Sequence, residues 1–143
     1  MTPWVRIIGK KAGANGRQPR KGKGGGGNKF GAKLCACHAG HNHHSRAEAR
    51  RCNDLHLLVR GGVIRNLEQQ PQFWFAINGR QVKHENGRRL GYKADFRYEE
   101  QDGAGGWRAV VEDVKGPYRD DAWTIRKAVF RALFPEVDLR EVA

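Results

Sequence analysis

A chain of 143 residues is long enough for one compact domain with a modest core, and its 27 Lys and Arg against 15 Asp and Glu give a net charge of +12. So large a cationic excess points to a polyanionic partner and excludes a neutral surface as the main feature of the molecule. No apolar run approaches the ~20 residues that cross a bilayer, no signal-peptide pattern is present, and three cysteines, an odd number, argue against a secreted disulfide framework, so a soluble, intracellular, cytoplasmic protein is expected.

The charge is unevenly spread. Nine of the 27 cations (Arg6, Lys10, Lys11, Arg17, Arg20, Lys21, Lys23, Lys29 and Lys33) fall in residues 1–33, which hold no acid, so the remaining 18 face all 15 acids. Residues 1–29 include the run Gly24-Gly25-Gly26-Gly27 among Lys, Arg, Asn and Gln, and such a segment cannot bury enough apolar surface to offset its ordering entropy. They are read as a flexible basic arm, either a solubilising linker or, as the charge density favours, a nucleic-acid contact through Arg17, Arg20, Lys21, Lys23 and Lys29. Residues 30–143 are expected to form the folded domain.

The first chemical cluster is Cys35-Ala36-Cys37-His38-Ala39-Gly40-His41-Asn42-His43-His44. A hairpin turning at Ala39-Gly40 puts Cys35 and Cys37 on one face and returns His41 or His43 toward them. Cys52 beyond could complete the four N and S ligands of a structural Zn²⁺, although the spacing is not that of a standard finger. Cys52 has an equally open reading as a packed core thiol.

Ser45-Arg46-Ala47-Glu48 has the capping-box pattern and Gly61-Gly62 supplies a stop, which predicts a helix over residues 45–60. Its inner stripe reads Glu48, Cys52, Leu55 and Val59, so a carboxylate heads an apolar line. Strands are expected from Phe73 to Ile77, ending at the Asn78-Gly79 turn, and from Gln81 to His84, ending near Asn86-Gly87. Two more are expected over residues 91–99 and 107–115, joined by Asp102-Gly103-Ala104-Gly105-Gly106. A second helix over residues 120–134 carries Asp120 and Asp121 at its positive end and an apolar face of Ile125, Ala128, Val129, Ala132 and Leu133. Pro135 stops it, and Val137 to Val142 is a final edge strand. The order of helix, antiparallel strands, helix and strand gives an α+β domain.

Alternation along the hairpin puts Tyr92, Ala94, Phe96 and Tyr98 on one face and Lys93, Asp95 and Arg97 on the other. In the next strand Val111, Asp113 and Lys115 point one way, and Val110, Glu112 and Val114 the other. A turn centred near Gly103 or Ala104 sets Asp95 opposite Asp113. Facing carboxylates destabilise a ladder unless a cation lies between them, and Mg²⁺ favours such hard oxygen ligands. Lys115, two residues from Asp113, could then act on charge developing at a phosphate, or could simply be the polar end of a strand.

Helical Glu48, Asp95 on one strand and Asp113-x-Lys115 on the next resemble the PD-(D/E)xK nuclease superfamily with its restriction-endonuclease-like core. Ser45-x-x-Glu48-Ala49, Gly62-x-Ile64-x-Asn66-Leu67-Glu68-x-Gln70-Pro71-x-Phe73, Ala94-Asp95-Phe96 and Val111-Glu112-Asp113-Val114-Lys115-Gly116 resemble, more closely, a family of small phage-encoded endonucleases compared with Holliday-junction resolvases. Ala94 stands where the superfamily motif has proline, and Asp113 where Glu is frequent. The resemblance implies Mg²⁺- or Mn²⁺-dependent phosphodiester hydrolysis, with Glu48, Asp95 and Asp113 around the metal and Lys115 at the nucleophile. It also implies a branched or junction DNA substrate, action inside the phage's host cell, and a homodimer. Gln70 has a phosphate or metal-water role by the same resemblance, or a turn role before Pro71. Glu48 has the alternative of serving only the capping box with Ser45, and Glu112 is expected to be solvated or ion-paired. The alternatives are a non-catalytic nucleic-acid-binding module and a zinc-stabilised regulatory or interaction protein.

Overall fold

The computed structural model describes residues 35–116 and 120–143. The expected arm over residues 1–29, with its candidate contacts Arg17, Arg20, Lys21, Lys23 and Lys29, lies outside them. The described chain opens with a hairpin of β1 (Cys35–Ala36) and β2 (Asn42–His43) and continues into α1 (Arg46–Arg60). Strands β3 (Ile64–Gln69), β4 (Gln72–Trp74), β5 (Ala76–Ile77), β6 (Arg80–Gln81), β7 (Gly91–Lys93), β8 (Phe96–Gln101) and β9 (Trp107–Val114) follow. Helix α2 (Asp121–Leu133) and strand β10 (Asp138–Val142) close the chain, so the α+β class holds.

The main sheet has the order β10-β9-β8-β3, antiparallel throughout except for β10, which returns parallel to β9 after α2. Pairs β4–β7 and β5–β6 form separate antiparallel ribbons. The main sheet separates two apolar clusters. Phe96, Tyr98 and Val110 pack with Ala49, Cys52 and Leu55 of α1, whereas Val111 and Leu139 pack with Trp123 and Phe130 of α2 and with Phe73, Phe75 and Tyr92 of the ribbon segment. Alternation does this, since consecutive residues of β9 face opposite layers.

Both helices begin as their sequences predict. The Ser45 hydroxyl accepts from the Glu48 N–H at 3.1 Å, and the Asp120 carboxylate accepts from the Trp123 N–H at 2.7 Å. Helix α2 stops because Phe134 precedes Pro135 and takes an extended φ of −128°.

Several expected boundaries differ. The strand expected over residues 91–99 is broken at Ala94–Asp95, its first part joining β4 and its second the main sheet. The strand from Phe73 to Ile77 is likewise split at Phe75, whose N–H bonds Leu90 O at 3.0 Å instead of continuing either ribbon. Instead of running from Gln81 to His84, β6 is Arg80–Gln81, with an isolated bridge at Lys83 beyond it. Strand β3 was not expected at all, because Ile-Arg-Asn-Leu-Glu-Gln has little apolar alternation and bulges between Arg65 and Glu68, with Asn66 at φ 55°. On α1, Val59 is exposed and Ala49 takes the inner place beside Cys52 and Leu55. On α2, Ile125 is 65% exposed and Ala128 and Ala132 face outward. The buried stripe is Trp123 and Phe130, flanked by Val129 and Leu133, because the bulkiest apolar side chains command the interior.

Glu112 is not solvated but ion-paired, and it is buried at 1% exposure. Arg51 of α1 donates to both its oxygens, Nε to Oε2 at 2.7 Å and Nη2 to Oε1 at 2.6 Å, and the Tyr98 hydroxyl donates to Oε1 at 2.5 Å. A charge taken this far from water is stable only while its partners remain. Arg51→Met should therefore lower the unfolding free energy by about 3 kcal/mol in urea denaturation. A change within about 0.5 kcal/mol would mean that the pair is dispensable.

Candidate functional site

The β8–β9 register pairs Phe96 with Glu112, so the next step of the ladder brings Asp95 beside Asp113. Backbone bonds fix both: Asp95 N donates to Glu112 O at 3.1 Å, and Asp95 Oδ2 accepts from Val114 N at 2.6 Å. Asp113 is buried at 4% exposure on the α2 side. Lys115 Nζ stands 2.6 Å from Asp113 Oδ2, yet out of hydrogen-bond alignment, so that buried oxygen is paired in charge but has no hydrogen-bond donor among the described residues. The Lys115 N–H donates to Val142 O at 2.8 Å, tying the site to β10.

Four further residues complete the surroundings. Lys115 Nζ lies 4.1 Å from the centre of the Trp123 ring, a cation–π contact that steadies its stem. Trp123 Nε1 donates to Glu141 Oε1 at 2.9 Å, and Lys127 Nζ pairs with the same oxygen at 2.8 Å. Glu141 is the β10 neighbour of Asp113. The buried Tyr92 hydroxyl has no hydrogen-bond partner among the described residues. Burial first, then the Asp113, Asp95 and Glu141 charges, raise its pKa, so it stays a protonated donor beside the acids. None of Trp123, Glu141, Lys127 or Tyr92 was legible as a site residue, since only the parallel return of β10 and the packing of α2 bring them there.

Glu48 stands apart from the acid pair. Its Oε1 accepts from Ser45 Oγ at 3.1 Å and its Oε2 from His44 N at 3.2 Å, so the capping role is realised. Its charge still reaches Asp95. Burial pushes the Asp95 carboxyl up to about 7, the Val114 N–H pulls it down, and the charges of Asp113 and then Glu48 add to the rise. Gln70 sits in the left-handed region at φ 50°, and its N–H donates to Asp95 O at 2.8 Å, which is the turn role expected before Pro71.

The Cys/His cluster is the second site. Gly40 at φ 83° makes the hairpin turn, Cys37 N donates to His41 O at 2.9 Å, and β1 pairs with β2. Cys37, His41, His43 and Cys52 bring one potential ligand atom each to within 4.8 Å of one another, so the cluster could hold a metal. Among the described residues this is the only such group of three or more His, Cys, Asp or Glu. Cys35 is not in it and instead packs against the α1 core cluster. His41 Nδ1 lies 3.4 Å from Cys37 Sγ and 3.9 Å from Cys52 Sγ. The Gln69 amide nitrogen faces the same His41 Nδ1 at 2.6 Å and Cys52 Sγ at 3.7 Å, as a cation between them would. His56 stacks on His41 at 5.6 Å. Burial pushes the Cys37 thiol up, but hydrogen bonds from the His41 backbone and the Cys52 thiol outweigh it and hold the pKa below its usual value. Burial, then the hydrogen bond and charge of Cys37, push Cys52 up to about 12. Burial likewise lowers His43, which keeps its imidazole neutral and able to ligate.

Residues 27–143 match the model of a family described as a protein of unknown function, DUF1064. The chain belongs to this family. No curated protein and no solved structure matches it. Among the described residues, no helix is long and apolar enough to cross a membrane.

The Asp95 environment sets a pH dependence. Its carboxyl titrates near 7 in the fold and near 3.8 ordinarily, so on raising the pH the unfolded chain releases this proton first. The stability this group contributes is then fully present below about pH 4 and declines as the pH rises to about 7. In metal-free protein the melting temperature should fall between about pH 5 and 7.5, and Asp95→Asn should flatten that fall. Parallel pH profiles for the two proteins would contradict it.

Proposed function

We propose that this protein is a metal-dependent endodeoxyribonuclease that hydrolyses phosphodiester bonds in branched DNA. The observation that carries the reading is the convergence of Asp95, Asp113 and Lys115 at neighbouring strand ends, with two buried polar atoms, Asp113 Oδ2 and Tyr92 Oη, left without a hydrogen-bond partner among the described residues. An acid pair would repel phosphate unless a cation intervened, so a mere nucleic-acid-binding surface has no use for it. The order helix, three antiparallel strands, helix and parallel strand (α1, β3, β8, β9, α2, β10) supports a restriction-endonuclease-like core.

Asp95 and Asp113 are the residues to hold Mg²⁺ or Mn²⁺, with Glu48 contributing charge from the end of α1. The cation, when bound, supplies Lewis-acid polarisation of the scissile phosphate. Lys115, held by the Trp123 ring, offers its ammonium protons to the charge that builds on the phosphate oxygens, where a preorganised donor is worth several kcal/mol. Tyr92 keeps its proton beside the acids. Symmetric cleavage of a junction calls for two such sites, hence a homodimer.

The test is nicking of junction, flap and duplex DNA with and without Mg²⁺. Asp113→Asn should abolish cleavage while DNA binding persists, and Lys115→Ala should reduce turnover on the order of 10²-fold, in line with the loss of one preorganised charge donor. Cleavage by Asp113→Asn at the wild-type rate would refute the reading.

For the Cys/His cluster the proposed metal is Zn²⁺, because two sulfurs and two imidazoles make its preferred tetrahedral set. Its binding energy would be folding energy for the short β1–β2 hairpin, which buries little else. Purified protein should carry one equivalent of zinc by elemental analysis. Cys37→Ser should lose both zinc and thermal stability, whereas Cys35→Ser should keep the metal. Zinc-free protein with an unaltered melting temperature would leave these as packed thiols and imidazoles.

A further inference from the structure

A groove of about 330 Å³ opens between the β4–β7 ribbon and α2, and none of its lining residues belongs to either cluster described above. Its floor is the indole of Trp74, 47% exposed, an unusual state for the largest apolar side chain. The floor is built rather than accidental. Trp74 pairs across the ribbon with Gly91, and a Cβ there would collide with the Phe73 carbonyl oxygen and come within 3.0 Å of the indole. Glycine thus lets the ring lie close against the strand while nearly half of the residue stays exposed. The rim is held by backbone bonds, Phe75 N to Leu90 O at 3.0 Å and Leu90 N to Val82 O at 2.9 Å.

The charge around this ring has one sign. Arg88, Arg89, Lys93 and Arg126 line the groove and no acidic residue does. Arg89 lies with its guanidinium carbon 5.4 Å from the Trp74 ring centre. An exposed aromatic face among phosphate-sized cations is the arrangement by which proteins hold unpaired nucleotides, with the base stacked and the backbone neutralised. A paired base has both faces covered by its neighbours and cannot use the ring. Lys93 also lies two residues before Asp95, an extended span of at most ~7 Å. Lys93 is thus the lining residue that joins the groove to the segment carrying Asp95.

We propose that the Trp74 groove binds an unpaired nucleotide segment of DNA, stacking a base on the indole and pairing its phosphates with Arg88, Arg89, Lys93 and Arg126. The link from this groove to cleavage rests on the nuclease reading, but the binding itself does not. Branched DNA exposes unstacked bases where its arms meet, so the groove gives a physical basis for selecting branches over plain duplex.

The experiment measures fluorescence anisotropy of labelled DNA in EDTA, where no metal-dependent turnover occurs, on a single-stranded oligonucleotide, a flap and a blunt duplex. Trp74→Ala should weaken binding of the single strand and the flap on the order of ten-fold, the range expected for one stacked base, and leave the duplex nearly unchanged. Trp74→Phe should recover most of the loss. Arg126→Ala, at an exposed helix position whose replacement spares the core, should lower the salt slope for the single strand by about 0.7. Equal weakening on all three DNAs, or no weakening by either Trp74→Ala or Arg126→Ala, would overturn the proposal. Wild-type binding through the groove without any Mg²⁺-dependent cleavage would sink the nuclease reading alone, and unchanged affinities with intact cleavage would sink the groove alone.

Discussion

The register that sets Phe96 opposite Glu112 distributes every charged residue at the centre of this domain, because a strand sends neighbouring side chains to opposite faces. Glu112 turns toward α1 and meets Arg51, and Asp113 turns toward α2 and meets Lys115. A slip of one residue would exchange them, leaving Glu112 without its guanidinium and Asp113 inside the α1 cluster. The buried Arg51–Glu112–Tyr98 network makes that exchange expensive, so it guards the register on which the acid pair depends.

The two faces of β9 therefore differ in purpose although their carboxylates are adjacent in sequence. Glu112 has both oxygens occupied by strong donors, so its charge is spent on packing α1 to the sheet. Asp113 has the Lys115 ammonium beside one oxygen but out of hydrogen-bond alignment, and a neighbour, Asp95, whose pKa is lifted by burial and by Asp113 itself. Such a pair is destabilising in isolation and becomes favourable when a cation arrives, which is the electrostatic profile of a binding site rather than of a structural bridge. The Cys/His cluster lies on the other side of the sheet with α1. Gln69 faces it, and the following Gln70 bonds the Asp95 carbonyl, so one short segment touches both centres.

Much of this was legible in the sequence. The Asp102–Gly106 turn and period-2 alternation set Asp95 opposite Asp113 without any three-dimensional information, and the Ala39-Gly40 turn brought His41 or His43 back toward Cys35 and Cys37. What escaped depends on packing between distant segments. Cys35 and Cys37 look equivalent until the hairpin length is known. Glu112 reads as either solvated or ion-paired until Arg51 is carried to it by α1. Strand β3 is polar and bulged, so its pairing with β8 decides its conformation rather than any local preference. Trp123 reaches Lys115 only because β10 returns parallel to β9 and draws α2 across the sheet.

The central claim is that Asp95 and Asp113 together hold a divalent cation. Titration of Mn²⁺ into zinc-saturated protein, followed by loss of the free-ion electron paramagnetic resonance signal, measures it without any DNA or turnover. The account predicts a bound Mn²⁺ in the wild-type protein that is lost in Asp113→Asn and weakened in Asp95→Asn. Equal Mn²⁺ binding by all three proteins, or none by the wild type, would contradict it.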